Sequence, residues 1–217
     1  YRGCYRREFT IIDSAAVLPD ILECPPHPSR LTMPQLLTVL LYTGLAGIAL
    51  PIGGFIARIE RLRPYWLEQE LRHGVLAFGG GVLLAAVAFV LVPEGIEVLE
   101  PATAVTALML GGVCFLFADR ALAKSEKSAA NFMAALLDFV PESLALGALI
   151  ATQPALGSLL AAFIALQNLP EGFNSYRELV ASQGGSHKNA ILILGGAALL
   201  GPMGGALGFW ILADLPW

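Results

Sequence analysis

Residues 129–173 read AANFMAALLDFVPESLALGALIATQPALGSLLAAFIALQNLPEGF. The stretch contains two apolar runs, and each run carries a proline–glutamate pair, at Pro141-Glu142 and at Pro170-Glu171. A charged side chain at the centre of a bilayer costs about 2.5 kcal/mol or more, so acids inside such runs usually mark a binding site or an ion pathway. Because the pattern polar-x-x-Pro-Glu-small occurs twice, 29 residues apart, we expect two membrane helices that share a polar site.

The composition of the whole chain is typical of a membrane protein. Of its 217 residues, 56% are hydrophobic and 14% are charged, and the mean hydropathy is +0.69. A typical soluble domain carries about 25% charged residues. The net charge of −4 is small and the basic residues are dispersed, so no surface for nucleic acid is predicted.

Further apolar runs approach the roughly 20 residues that a membrane helix needs. The six predicted spans are residues 36–57, 74–92, 102–118, 129–151, 156–173 and 190–213. The predicted fold is therefore an all-α, polytopic transmembrane helix bundle that occupies residues 33–217. Residues 1–32 contain four prolines and no sustained apolar run, so we expect a disordered leader upstream of a natural start at Met33.

The distribution of Lys and Arg predicts the orientation of the bundle. After Met33, the loops that follow the first, third and fifth spans contain nine Lys and Arg residues, whereas residues 93–101, 152–155 and 214–217 contain none. Basic residues are enriched in cytoplasmic loops. We therefore expect an integral protein of the cell (inner) membrane, in contact with the lipid bilayer, with its N-terminus outside the cytoplasm.

Helical spacing groups the polar residues of the two motifs. Residues four apart share a helix face, so Asp138 lies with Glu142 and Gln167 lies with Glu171. Asn168 lies about 100° around the helix from its neighbour, still able to line a shared cavity. Each proline also leaves the carbonyl four residues earlier without its N–H donor. Carboxylate, amide and carbonyl oxygens together favour a site for a divalent cation.

At these residues the chain resembles the ZIP (Zrt/Irt-like) family of divalent metal transporters. The fourth helix of that family carries His-Asn-x-Pro-Glu-Gly and the fifth carries His/Gln-Glu/Asp-x-Pro-Glu-Gly. The corresponding segments here are residues 138–143, DFVPES, and residues 167–172, QNLPEG. Residues 77–84, with Pro93-Glu94 after them, and residues 201–205 are similar to further family patterns.

The resemblance implies a fold and a function. Family members have eight membrane helices with both ends outside, so this chain would be a fragment with helices one to six. A metal cation (zinc, iron or manganese) would be carried to the cytoplasm as substrate by alternating access, with no organic cofactor. The implied ligands at one metal position are Asp138, Gln167 and Glu171. Those at a neighbouring position are Glu142, Asn168 and Glu171, with Glu171 bridging the two.

Two positions depart from the family pattern. Asp138 stands where the family has histidine, and Phe139 stands where it has a metal-binding asparagine. The ligand set then contains only oxygen, which favours iron(II), manganese or magnesium over zinc. Zinc remains the metal that the family implies, and a site for one ion rather than two is an alternative.

Two other functions compete with metal transport, and a proton-relay channel built on Asp138, Glu142 and Glu171 is a further alternative. A non-transporting metal-binding membrane protein, such as a sensor or a scaffold with a degenerate site, is the alternative that the two departures favour. An intramembrane hydrolase would need histidines that hold a catalytic zinc. His27, His73 and His187 all fall in the leader or in predicted loops, so no enzyme is predicted. Homodimer formation is left open by the sequence.

Overall fold

The structure, a computed structural model, describes residues 33–59, 65–124, 130–182 and 184–212. Every regular element within these ranges is helical, and five of the helices are long and apolar enough to cross a membrane. The predicted all-α class is therefore confirmed for these residues, and the five apolar helices are in keeping with the predicted membrane protein. The predictions for residues 1–32 and 213–217, and for Arg61, Arg63 and Lys127, lie outside the described residues.

The helices follow the predicted spans and extend beyond most of them. In chain order they are α1 (Met33–Ile59), α2 (Tyr65–Ala86), a π-helical turn (Val87–Leu91), α3 (Val92–Val98), α4 (Pro101–Lys124), α5 (Ala130–Thr152), α6 (Pro154–Ser182), α7 (His187–Ala198), α8 (Leu200–Leu207) and a second π-helical turn (Gly208–Leu212). His73, predicted in a loop, lies in α2 instead, and His187 begins α7. Hydropathy marks only the apolar part of a helix, so it places the polar first turns of α2 and α7 in loops.

The span predicted at residues 156–173 forms part of α6, which differs from the other long helices. Helix α6 is not among the five helices that are long and apolar enough to cross a membrane. Its second half is polar from Gln167 onward, and this lowers its hydropathy. The helix ends at Ser182, where Gly184 and Gly185 adopt φ angles of 63° and 87°. Glycine takes this left-handed conformation without a Cβ clash and so terminates the helix.

Helix α6 lies at the centre of the bundle, packed against α1, α2 and α5. The central core contains Leu50 of α1, Phe139 and Leu146 of α5, and Leu160 and Ile164 of α6, all 1% exposed or less. A helix that is buried among its neighbours does not need the continuous apolar surface that lipid requires. Its polar residues therefore face protein. This position explains how α6 can be less hydrophobic than the other long helices.

Glycines allow α1 and α6 to pack with their backbones in contact. A Cβ on Gly53 of α1 would collide with the carbonyl oxygen of Leu169, and one on Gly172 of α6 would collide with that of Leu50. Small residues let membrane helices approach closely enough for such contacts. These two glycines therefore set the distance between α1 and α6.

The helices α2 and α4 lie at the periphery. No residue of α4 between Pro101 and Ala121 is buried, and in α2 from Glu70 to Ala86 only Gly79 and Ala86 are buried. Helix α4 exposes large side chains such as Leu108 and Phe117 along its length. Apolar surfaces of this kind suit contact with lipid tails or with another membrane helix.

The helical segment that follows α6 is interrupted at Leu199, between α7 and α8. The N–H of Leu199 bonds the carbonyl of Gly196, three residues earlier, at 3.2 Å, so the last turn of α7 is tightened. Pro202 supplies no N–H to the carbonyl of Ala198. The missing donor accounts for the irregular turn.

Candidate metal centre

Glu142 of α5 and Gln167 of α6 form a buried pair. The side-chain amide nitrogen of Gln167 donates to both carboxylate oxygens of Glu142, at 2.7 and 2.6 Å. Glu142 is 8% exposed and Gln167 is fully buried. The contact joins α5 to α6 at the level of the two proline–glutamate motifs.

Asn168, the next residue of α6, faces α1. Its Nδ2 donates to the carbonyl oxygen of Ala46 at 2.8 Å, and the side chain is fully buried. This bond fixes the orientation of the amide, because the opposite orientation would bring two oxygens together. Asn168 therefore contacts α1, whereas Gln167 contacts α5.

Asp138 and Glu171 line a cavity of about 170 Å³ between α2, α5 and α6. The remaining lining residues include Asn131 and Asn174, together with Leu76, Gly79, Gly80 and Leu83 on the α2 side. A water molecule occupies about 30 Å³ in the liquid, so the cavity has room for a cation with part of its water. A Cβ on Gly79 would lie 2.9 Å from Cγ of Pro170. Glycine at this position therefore lets α2 approach the proline of α6 and close the cavity on one side.

The buried acceptors of α6 are incompletely satisfied. Within the described part of the chain, the buried oxygens without a hydrogen-bond donor include Gln167 Oε1, Asn168 Oδ1, Glu171 Oε2, Asn174 Oδ1 and Ser175 Oγ. An unsatisfied buried polar group costs about 1–3 kcal/mol. The first four of these atoms are acceptors only, so a cation or water protons would satisfy them.

The carboxylates of the site do not converge on one point. Among the described residues, no group of three or more His, Cys, Asp or Glu side chains could hold a metal ion by itself. Glu171 is close enough to Glu142 and to Asp138 for their charges to interact, but Glu142 is held by Gln167. A metal ion at the cavity would therefore be bound by Asp138 and Glu171 together with amide oxygens or water.

Phe139, His73 and His187 are not among the residues that line the cavity. Phe139 is 1% exposed in the central core, and a Cβ on Gly201 would lie 2.8 Å from its Cζ. The position that holds asparagine in the ZIP pattern thus contributes packing here. His187 Nδ1 lies 2.7 Å from the hydroxyl of Tyr176 at the end of the bundle, and His73 is exposed.

Comparisons of this chain with protein-family models, with curated proteins and with solved structures found no match.

Two residues that line the cavity with the two acids, Asn131 and Asn174, were not predicted from the sequence. Helical spacing along α6 could have indicated one of them. Asn174 follows Glu171 by three residues and so lies on the same helix face.

Proposed function

We propose that this protein is a transporter that moves a divalent cation across the cell membrane toward the cytoplasm, and that it is not an enzyme. The observation that carries the proposal is a cavity lined by two acids, beside buried amide and carboxylate oxygens of α6 that lack donors. Manganese, iron(II) and zinc are the candidate substrates. No organic cofactor is part of the proposal.

The chemistry of the lining favours a hard cation. Asp138, Glu171 and the neighbouring side-chain amides offer oxygen and no nitrogen or sulfur acceptor. Manganese and magnesium prefer oxygen ligands, whereas zinc is usually held by histidine or cysteine. Two carboxylates also balance the charge of one divalent cation. Manganese is therefore the first substrate to test.

Membership of the ZIP family is part of this proposal and is supported by the paired motifs. A polar site between central helices suits alternating access, in which one group of helices rocks against another around the site. Lipid-exposed α2 forms one wall of the cavity. The inward direction and the external N-terminus rest on the distribution of Lys and Arg.

Manganese uptake into proteoliposomes tests the proposal. We expect the wild-type protein to accumulate Mn²⁺, and both Glu171→Gln and Glu171→Ala to abolish uptake because the cavity loses one of its two charges. Glu97→Gln is the matched control, since Glu97 is an exposed acid of α3 and its change should leave uptake intact. Uptake that persists in Glu171→Ala at the wild-type rate would refute the proposed site.

A metal-binding protein without transport, such as a sensor or scaffold, is the second candidate. It is favoured by the bond from Gln167 to both oxygens of Glu142, which withdraws one carboxylate from the cavity. The two functions differ in a flux measurement. A purified protein that binds Mn²⁺ in titration but moves none across the bilayer would support the second candidate.

A further inference from the structure

Asn174 has a fixed orientation inside the bundle. The side chain is 5% exposed, and its Nδ2 donates to the carbonyl oxygen of Pro170 at 2.9 Å. The opposite orientation of the amide would place Oδ1 against that carbonyl oxygen, so the bond assigns the two ends of the amide. Oδ1 is left buried and without any donor.

The same residue lines the cavity that holds the two acids. Asn174, Asp138 and Glu171 all contribute to its wall, and Glu171 Oε2 also lacks a donor. Asn174 lies one helical turn after Glu171 on α6. A cation near both carboxylates would thus lie beside a residue whose neutral amide oxygen has no donor.

We propose that Asn174 is a ligand of the transported cation and that its amide oxygen sets a preference for oxygen-seeking divalent cations such as Mn²⁺ over Zn²⁺. This inference rests on the proposed function. A neutral oxygen adds coordination without adding charge, so the site keeps the two carboxylates that balance a divalent ion. Amide oxygens are ordinary ligands for hard cations, whereas zinc gains more from a ring nitrogen.

Three substitutions separate a ligand from a packing residue. Asn174→Ala should raise the KM for Mn²⁺ uptake about tenfold with a similar maximal rate, which corresponds to the loss of about 1.4 kcal/mol of binding. Asn174→His should shift the competition between Mn²⁺ and Zn²⁺ toward Zn²⁺. Ser175→Ala is the matched control, because Ser175 is the next residue, is fully buried and is not part of the cavity wall. It should leave KM and competition unchanged.

A measurement of Mn²⁺ binding to the purified protein distinguishes the two proposals. Binding is detected as a loss of the paramagnetic resonance signal of the free ion. If the wild type binds Mn²⁺ but does not transport it, the proposed function fails, and weaker binding by Asn174→Ala still supports the ligand. If the wild type transports Mn²⁺ and Asn174→Ala binds and transports it equally well, the ligand proposal is wrong. That result would indicate that Asn174 Oδ1 is satisfied by water alone. If the wild type binds no Mn²⁺, both proposals are overturned.

Discussion

At the scale of single residues, the bond between Gln167 and Glu142 is the polar contact that joins α5 to α6 in the bundle interior. Its stabilising effect depends on both partners. A carboxylate without a donor in such a place bears the full cost of desolvation, whereas removing both groups leaves nothing unsatisfied. A single substitution should therefore lower the stability of the bundle, and a second substitution at the partner should restore it.

Gln167→Leu should lower the free energy of unfolding by about 1–3 kcal/mol, because Glu142 loses both hydrogen bonds. The double variant, with Glu142→Leu added, should recover most of that loss. Thermal unfolding in detergent measures both. Gln153→Leu is the matched control, since Gln153 makes the same kind of bond to Glu94 in a half-buried place where water can replace it. A double variant less stable than Gln167→Leu would contradict this account.

The sequence could predict which polar residues share a helix face, but not what each face contacts. Helical spacing grouped Asp138 with Glu142 and Gln167 with Glu171. The structure divides each pair, with Glu142 and Gln167 bonded together and Asp138 and Glu171 at the cavity. The division depends on how far α5 and α6 are rotated and shifted against each other, and no pattern within one helix contains that information.

At the scale of helices, α6 supplies the cap for the start of α5. The carboxylate of Glu178 accepts from the backbone N–H groups of Ala130 and Asn131 at 2.9 Å each, and from that of Phe132 at 3.3 Å. The first N–H groups of a helix have no partner within it, and a negative charge there is favourable. The contact fixes the start of α5 to the polar end of α6.

Glu178→Ala should lower the free energy of unfolding by about 1–2 kcal/mol, the usual effect of losing an N-terminal cap. The loss should be local first, so hydrogen exchange at residues 130–132 should become faster than in the wild type. Glu97→Ala, a change of an exposed acid in α3, should leave that exchange unaltered. Unchanged protection of residues 130–132 in Glu178→Ala would show that other groups cap α5.

Helix limits could be predicted only where the helix is apolar. The span assigned to residues 156–173 stops where α6 becomes polar, although the helix continues to Ser182. Glu178 therefore fell outside the predicted span, and its role was missed. A hydropathy pattern reports which segments suit lipid, whereas backbone hydrogen bonds continue wherever the neighbouring helices provide partners.

At the scale of the whole molecule, the exposed surface of α4 predicts direct contact with the hydrocarbon region. Cys114 lies in this helix and is exposed. In membranes of a variant with Cys4→Ser and Cys24→Ser, a water-soluble maleimide should leave Cys114 unmodified, and dissolving the membrane in SDS should make it reactive. Modification in intact membranes would place α4 against water or a hydrated pore.

The orientation can be tested with two single cysteines in a background without the native ones. Glu97→Cys should react with an impermeant maleimide added outside intact cells, because α3 lies on the side without basic loops. Arg72→Cys should react only after the cells are opened, since this position belongs to the basic side. Both residues are exposed in the structure. The reverse labelling pattern would invert the proposed direction of transport.

The glycine contacts between α1 and α6 have a consequence for distant effects of mutation. At Gly53 and Gly172 the two backbones touch, so any larger residue at either position must push the helices apart. A displaced α6 would carry Gln167 and Glu171 with it. Changes at these two glycines should therefore disturb the polar residues of α6 without touching them.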